Sequence, residues 1–186
     1  KDVGWNNALE RAREIGRTNR KNRTNRCIAV SPCLWGIRCR YDGRSKRNAN
    51  VISLLADGRW QLVPVCTEVL AELGVPRPPM DFLGSDGAAV MARKSGADLL
   101  DAHGRSCAEK MRMGAERAAA LVEATGCSVA LLKERSPSCG LHRVYVRQQL
   151  VAGQGMLAAW LCQRKMVCFS EEELEALERY LSHEDH

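Results

Sequence analysis

The sequence predicts a single α/β domain, a mostly parallel sheet with helices on both faces, preceded by a basic N-terminal arm. Three observations carry this. Short apolar runs, Cys27 to Val30, Trp60 to Val65, Val129 to Leu132 and Met166 to Phe169, alternate with segments of helical spacing. The runs are apolar with little alternation, as strands buried on both faces are. The length of 186 residues suits one domain, which at this size buries about 70% of the surface its unfolded chain exposes.

The elements follow in order. Trp5, Ala8, Leu9, Ala12 and Ile15 share a helix face, and the segment to Gly16 reads as a docking helix or an appendage. The stretch RTNRKNRTNR after it has no apolar residue and reads as an exposed linker. Residues 1–25 thus form the arm and residues 26–186 the domain. Cys27 to Val30 is a buried strand ended by Ser31-Pro32; Asn48 to Ala56 is a helix stopped by Asp57-Gly58; Trp60 to Val65 is the second strand. Thr67 to Leu73 makes one or two helical turns before the Pro-rich VPRPP. Phe82 to Arg93 reads as a β-hairpin around Ser85-Asp86-Gly87, since Asp-Gly is a strong turn signal. Asp98 to Thr125 reads as one long helix with an apolar stripe through Leu99, Ala102, Cys107, Met111, Ala115, Ala118 and Val122. Val129 to Leu132 is the third strand, Gly155 to Gln163 a helix, and Met166 to Phe169 the fourth strand. Ser170 with Glu173 makes a capping box for the last helix.

The charge is uneven. Residues 1–26 hold eight cations against three anions, so most of the net +6 sits on the arm. Such an arm keeps a protein soluble or lies on phosphates. No apolar stretch approaches the ~20 residues of a membrane helix, and no secretory signal is visible. Cys27, Cys107, Cys127, Cys162 and Cys168 fall in apolar or helical runs and read as buried small hydrophobes. The expectation from free thiols is a reducing, cytoplasmic setting.

Cys33, Cys39, Cys66 and Cys139 instead stand beside turn-forming or charged residues. Cys33 follows the first strand, Cys66 the second, and Cys139 the third by way of KERSPSCG. In open parallel sheets ligands bind beyond the carboxyl ends of the strands, so these thiols are expected at one edge. Thiolates gathered there repel unless a soft metal centre neutralises them. Zinc favours close local spacings such as C-x2-C, and Cys33 and Cys39 are six apart. A 4Fe-4S cluster can be held by three thiolates, leaving one iron open.

Four ordered motifs, SPCLWGIRCRYDG, PVCTEVLAELGVPRPP, LKERSPSCG and VCFSEEEL, resemble those of the thiouracil desulfidase family, over about Arg26 to Leu177. The resemblance implies a 4Fe-4S cluster on Cys33, Cys66 and Cys139 and a non-redox conversion of thiocarbonyl to carbonyl with release of sulfide. Water addition needs a base and the departing group a proton. Glu68, two residues after Cys66, is the expected base, and Ser136 or Ser138 the hydroxyl, with Ser136 preferred. Cys39 as a fourth ligand is the lesser alternative. Asp42 is expected to staple its own loop, Lys133 and Arg135 are candidate anion contacts, and His103 and His142 read as surface residues. The chain departs from the family pattern at Thr67, where Pro is expected, and in LHRVYVRQQLVAGQG, which lacks the expected Asp-Gly.

The expected substrate is a thiolated pyrimidine, a free base such as thiouracil or a thiouridine in nucleoside, nucleotide or tRNA form; the basic arm favours a polyanion slightly. Two rivals remain at this stage. One is a non-catalytic RNA-binding module whose four turn cysteines close around zinc or a cluster. The other, ranked last, is a persulfide-using sulfurtransferase.

Overall fold

The computed structural model describes residues 3–21, 26–56 and 58–183. Four parallel strands, β1 (Arg26–Val30), β2 (Trp60–Pro64), β5 (Val129–Leu132) and β8 (Val167–Ser170), form one sheet in the order β2-β1-β5-β8. These are the four runs expected as strands. Alternate residues of β1 and β5 point to opposite faces, and both faces are covered. Ala29, Ala130 and Leu132 pack on Ala118 and Val122 of α5 (Ala108–Thr125) and on Leu157 and Leu161 of α6 (Met156–Gln163). Ile28, Val30, Val129 and Leu131 pack on Val51 and Leu55 of α2 (Ala49–Leu55) and on Leu177 and Leu181 of α7 (Leu174–His183). Asn48 caps α2 through its side-chain oxygen, which accepts from the amides of Asn50 and Val51. The Ser170–Glu173 box forms: Ser170 N–H donates to Glu173 Oε2 at 2.8 Å and Ser170 Oγ accepts from Glu172 N–H at 3.3 Å. Asp57, part of the expected stop after α2, lies outside the described residues.

A second, mixed sheet was not expected. It runs β4-β3-β6-β7, from β3 (Met80–Leu83), β4 (Asp98–Asp101), β6 (Arg143–Val146) and β7 (Gln149–Ala152). Phe82, Leu99 and Val144 pack on Met111, Ala115 and Met156, so the first half of α5 and the start of α6 fill the space beneath it. Two expectations fail here. The segment 82–93 is not a hairpin: β3 ends at Leu83, and Asp86 caps α4 (Gly87–Met91), its Oδ1 accepting from Ala89 N–H at 3.2 Å. Gly87 serves close packing instead of a turn, because a Cβ there would meet the Gly155 carbonyl carbon at 2.5 Å. Nor is 98–125 one helix. Asp98–Asp101 pairs antiparallel with β3, and Asp101 Oδ1 accepts from the amides of His103 and Arg105, turning the chain into α5. Leu99 matched the helical stripe by coincidence of spacing; Gly104, at φ +75°, breaks the run. The β6–β7 hairpin turns at Arg147-Gln148, both left-handed at φ 49° and 63°, a role the missing Asp-Gly would have advertised.

The arm is more ordered than its composition suggested. The helix α1 spans Val3–Lys21, so the first residues of the expected linker are helical, while 22–25 lie outside the described residues. It docks on α5: Ala12 is buried, the Arg117 guanidinium lies over Trp5, and Gly16 abuts the Ala124 carbonyl. The side chain of Ile15 is outside the described set.

Cys27 and Cys127 are buried, as expected, but they are not free: they form a disulfide joining β1 to the residues before β5. The premise of free thiols therefore fails for these two, while Cys33, Cys39, Cys66, Cys107, Cys139, Cys162 and Cys168 are free. Among the described residues no helix is long and apolar enough to cross a membrane.

Candidate functional site

The carboxyl ends of β1, β2 and β5 open onto one cavity of about 1450 Å³, lined by Cys33, Cys39, Cys66, Cys139, Glu68, Ser136 and Ser138 among others. Every sequence-predicted site residue is there. Each arrives by a short local device. Ser31-Pro32 turns the chain out of β1 into a 3-10 turn, Pro32–Trp35, that Gly36 closes at φ 102°. Cys66 takes the cap position before α3 (Thr67–Leu70), which puts Glu68 in its first turn. In the segment after β5, Ser136 Oγ accepts from the amides of Ser138 (3.1 Å) and Cys139 (3.2 Å), folding the SPSC turn so that Cys139 returns toward the sheet.

Cys39 is nearer than its position in the loop suggested. Its thiol hydrogen-bonds with those of both Cys33 and Cys66. The bond with Cys33, with burial, pushes Cys39 up to about 11 against the opposite pull of Cys66. The bond with Cys39, then burial, pushes Cys66 up as well. Burial pushes Cys139 up to about 12, partly offset by a hydrogen bond with Ser31. Raised values are what clustered thiols without a neutralising cation must show. Among the described residues no group of three or more His, Cys, Asp and Glu side chains is arranged around a single metal ion. A cube takes one thiolate per iron, so its ligands stand around it and do not converge on a point. Soft thiol donors on three separate loops, largely shut off from water, fit such a group.

Glu68 is held by two partners. Its Oε1 accepts from Ser138 Oγ at 2.8 Å, and its Oε2 accepts from Arg77 Nε at 2.7 Å and from Arg77 Nη2. The same guanidinium donates to the carbonyls of Cys39 (2.9 Å) and Gly74 (2.7 Å), and the Arg77 side chain is only 3% exposed. Arg77 therefore ties Glu68 to the loop carrying Cys39. Sequence reasoning passed over it; the available signal was a single cation inside the rigid VPRPP segment. The two serines divide the work. Ser138 is paired to Glu68, whereas Ser136 Oγ accepts two bonds and, among the described residues, donates none, leaving its hydrogen free to be donated.

Glu134 was also missed. This carboxylate is 1% exposed and accepts from the amides of Arg135 (3.3 Å), Leu141 (3.2 Å), His142 (3.2 Å) and Arg143 (2.7 Å), so it fixes both ends of the loop bearing Ser136, Ser138 and Cys139. An acid directly after a buried strand was the only hint. The candidate anion contacts are engaged elsewhere: Lys133 pairs with Glu171, and Arg135 with Glu172. Asp42 staples its own turn as expected, accepting from Arg44 N–H at 3.0 Å and pairing with Arg40 at 3.4 Å. His142 is exposed, as expected, and its Nε2 meets Glu173 at 2.9 Å.

The sequence model of the 2-thiouracil desulfurase family matches residues 28–173, the stretch that contains all four thiols, Glu68 and both serines. The chain belongs to this family. It is 33% identical over 150 residues to YbbK of Bacillus subtilis (strain 168), described as uncharacterised, covering 79% of this chain and 97% of that protein. It superposes on a solved structure, the [4Fe-4S]-dependent thiouracil desulfidase TudS, with a TM-score of 0.70 and 35% identity, over 85% of this chain and 99% of the other. Family membership and the four convergent thiols together point to one kind of centre.

Proposed function

We propose that this chain holds a 4Fe-4S cluster on Cys33, Cys66 and Cys139 and catalyses non-redox desulfuration of a thiolated pyrimidine, releasing sulfide. The observation that carries the reading is the meeting of these thiols with Glu68 in one cavity, from positions far apart in the chain. When bound, the cluster supplies a soft Lewis-acid iron able to draw electron density from a thiocarbonyl. Glu68 takes the proton of the water that adds to the thiocarbonyl carbon; Arg77 and Ser138 hold both carboxylate oxygens in place while it does so. The Ser136 hydroxyl donates a hydrogen bond to the ring nitrogen or the departing sulfur, and the proton that Glu68 has taken from water is returned to the leaving sulfide. Burial of Cys33 and Cys139 keeps bulk water from their sulfurs.

The substrate reaches beyond one ring. A cavity of about 1450 Å³ exceeds the roughly 300–1,000 Å³ of ordinary small-molecule sites. Its wall includes Lys46, Arg47 and Arg147, for which no carboxylate partner occurs among the described residues, and the exposed Tyr145. This suits a thiouridine carrying phosphate, free or in tRNA, with the arm as a further contact. Sulfide release from a panel of thiouracils, thiouridines and thiolated RNA by anaerobically reconstituted protein tests it. Activity on none of them ends the proposal, and salt curves identical for base and RNA remove the phosphate contact.

The contact of Cys39 with Cys33 and Cys66 favours one other arrangement, a closed four-thiol site serving a non-catalytic RNA-binding module. About four irons retained in Cys39→Ser, but lost in Cys33→Ser, Cys66→Ser and Cys139→Ser, supports the enzyme. One zinc per chain supports the module.

A further inference from the structure

Outside the cavity lies a second pair of thiols that the desulfidase chemistry does not use. Cys162 is in the last turn of α6 and Cys168 is in β8. A tight turn joins them: Lys165 N–H donates to the Cys162 carbonyl at 2.9 Å, Met166 N–H donates to the Leu161 carbonyl at 3.1 Å, and Lys165 is left-handed at φ 59°. The turn brings the Cys168 thiol into hydrogen-bonding contact with the sulfur of Cys162. Gln154, from the segment before α6, donates Nε2–H to the same sulfur at 3.4 Å. Both cysteines are only partly buried. A sulfur that receives two hydrogen bonds is prepared to carry negative charge. The Cys168 contact, Gln154 and nearby His142 hold Cys162 down to about 6 against the cost of burial, while the contact with Cys162 pushes Cys168 up.

We propose that Cys162 and Cys168 form a peroxide-reactive dithiol, with Cys162 as the attacking sulfur and Cys168 as the resolving one. In the first step the Cys162 thiolate attacks one oxygen of a hydroperoxide; the S–O bond forms, the O–O bond breaks, and the leaving hydroxide takes a proton and departs as water. Cys162 is oxidised to the sulfenic acid and the peroxide is reduced. In the second step Cys168 sulfur attacks Cys162 sulfur; the S–S bond forms, the S–O bond breaks, and hydroxide leaves with the Cys168 proton as a second water. Two thiols and one hydrogen peroxide thus give one disulfide and two waters. The product ties the end of α6 to β8. It would lie against the same hydrophobic cluster that already contains the Cys27–Cys127 disulfide. Cys107 is the internal control: it is partly buried too, but burial and Asp101 raise its thiol, and among the described residues that thiol accepts no hydrogen bond and donates one, to the Arg105 carbonyl.

The experiment treats cluster-loaded protein, without oxygen, with one equivalent of hydrogen peroxide, then quenches with acid and blocks free thiols. Tryptic cleavage at Arg164 and Lys165 separates the two cysteines, so their disulfide appears as a cross-linked peptide pair. The expected result is that pair, formed before Cys107 is oxidised. In Cys168→Ser, dimedone should trap a sulfenic acid on Cys162. A measurement on the unaltered chain decides the matter if that variant does not fold. At pH 7 the larger thiolate fraction of Cys162, less its lower intrinsic nucleophilicity, makes its alkylation by iodoacetamide several-fold faster than that of Cys107, whose thiol is raised. Equal labelling of the two, peroxide oxidation at Cys107 first, or a dimedone adduct absent from Cys162 overturns the proposal.

Discussion

Replacing Arg77 by Met removes four hydrogen bonds at once: two to Glu68 Oε2 and one each to the carbonyls of Cys39 and Gly74. The methylene stem is kept, so the change is mainly one of charge. Glu68 is then a carboxylate with a side-chain exposure of 12%, held only by the Ser138 hydroxyl. Breaking a buried ion pair by removing one partner costs about 3–5 kcal/mol, and the partial exposure of Glu68 places this case at the low end, about 3 kcal/mol. For a chain of this size that is a fall in Tm of roughly 6–12 °C. The assay is equilibrium unfolding in urea, followed by far-UV circular dichroism, of the wild type, Arg77→Met, Glu68→Gln and the double variant. Because the single changes each strand a buried group that the double change removes, the double variant should be at least about 2 kcal/mol more stable than the two costs added together. Costs that add within about 0.5 kcal/mol would refute the coupling, and with it the role of Arg77 as the group that positions Glu68.

Other outcomes follow from the same geometry. Glu68→Gln abolishes sulfide release with iron content unchanged, measured by colorimetric iron and sulfide assays; surviving turnover makes the base assignment wrong. Ser136→Ala, which removes the free hydroxyl proton, and Ser138→Ala, which frees Glu68 Oε1, each lower kcat by about 10- to 100-fold with iron retained. Glu134→Gln weakens the charge-assisted bonds to four backbone amides, each such bond being worth about 1.5–3 kcal/mol, and is expected to reduce cluster occupancy, read by iron content, before it affects the far-UV spectrum. Because Cys66 and Cys139 are raised and thus protonated at neutral pH, cluster assembly on iron-free protein should release protons and accelerate from pH 7 to 9; a flat rate contradicts this. Burial works against the Glu172 carboxylate, but Arg135 and Arg143 hold it below the ordinary 4.5. A depressed carboxylate contributes stability above its unfolded pKa and loses it as pH falls through the folded one, so acid unfolding below pH 4.5 should lose this component in the Arg135→Met/Arg143→Met variant.

Much of the core sheet was legible because its strands are buried on both faces and so read as apolar runs, as in Val129–Leu132. The second sheet was not. Its strands are four residues each, β7 is exposed along its whole length, and β4 begins and ends with Asp, so neither run length nor alternation announced them. The Asp86-Gly87 pair misled for a different reason: Asp is equally a turn residue and a helix cap, and only the approach of the Gly155 backbone shows why Gly follows it. At the site, the turn-flanked cysteines and the acid after Cys66 were visible from spacing. Arg77 and Glu134 were not, because their roles come from partners apart in the chain: Glu68 and the Cys39 carbonyl for Arg77, and the amides of Leu141, His142 and Arg143 for Glu134.

Which thiols lie beyond strand ends is legible from local order, since a short apolar run that gives way to Ser31-Pro32, Thr67-Glu68 or the KERSPS stretch ends a strand wherever it is packed. Packing between distant segments is what returns Cys39 to touch two of them, bonds Cys27 to Cys127 across a separation of 100 residues, and lets one guanidinium hold both Glu68 and a thiol loop. Local chemistry is written in short spacings, whereas contacts between distant segments depend on how two sheets share α5 and α6, which no short spacing encodes.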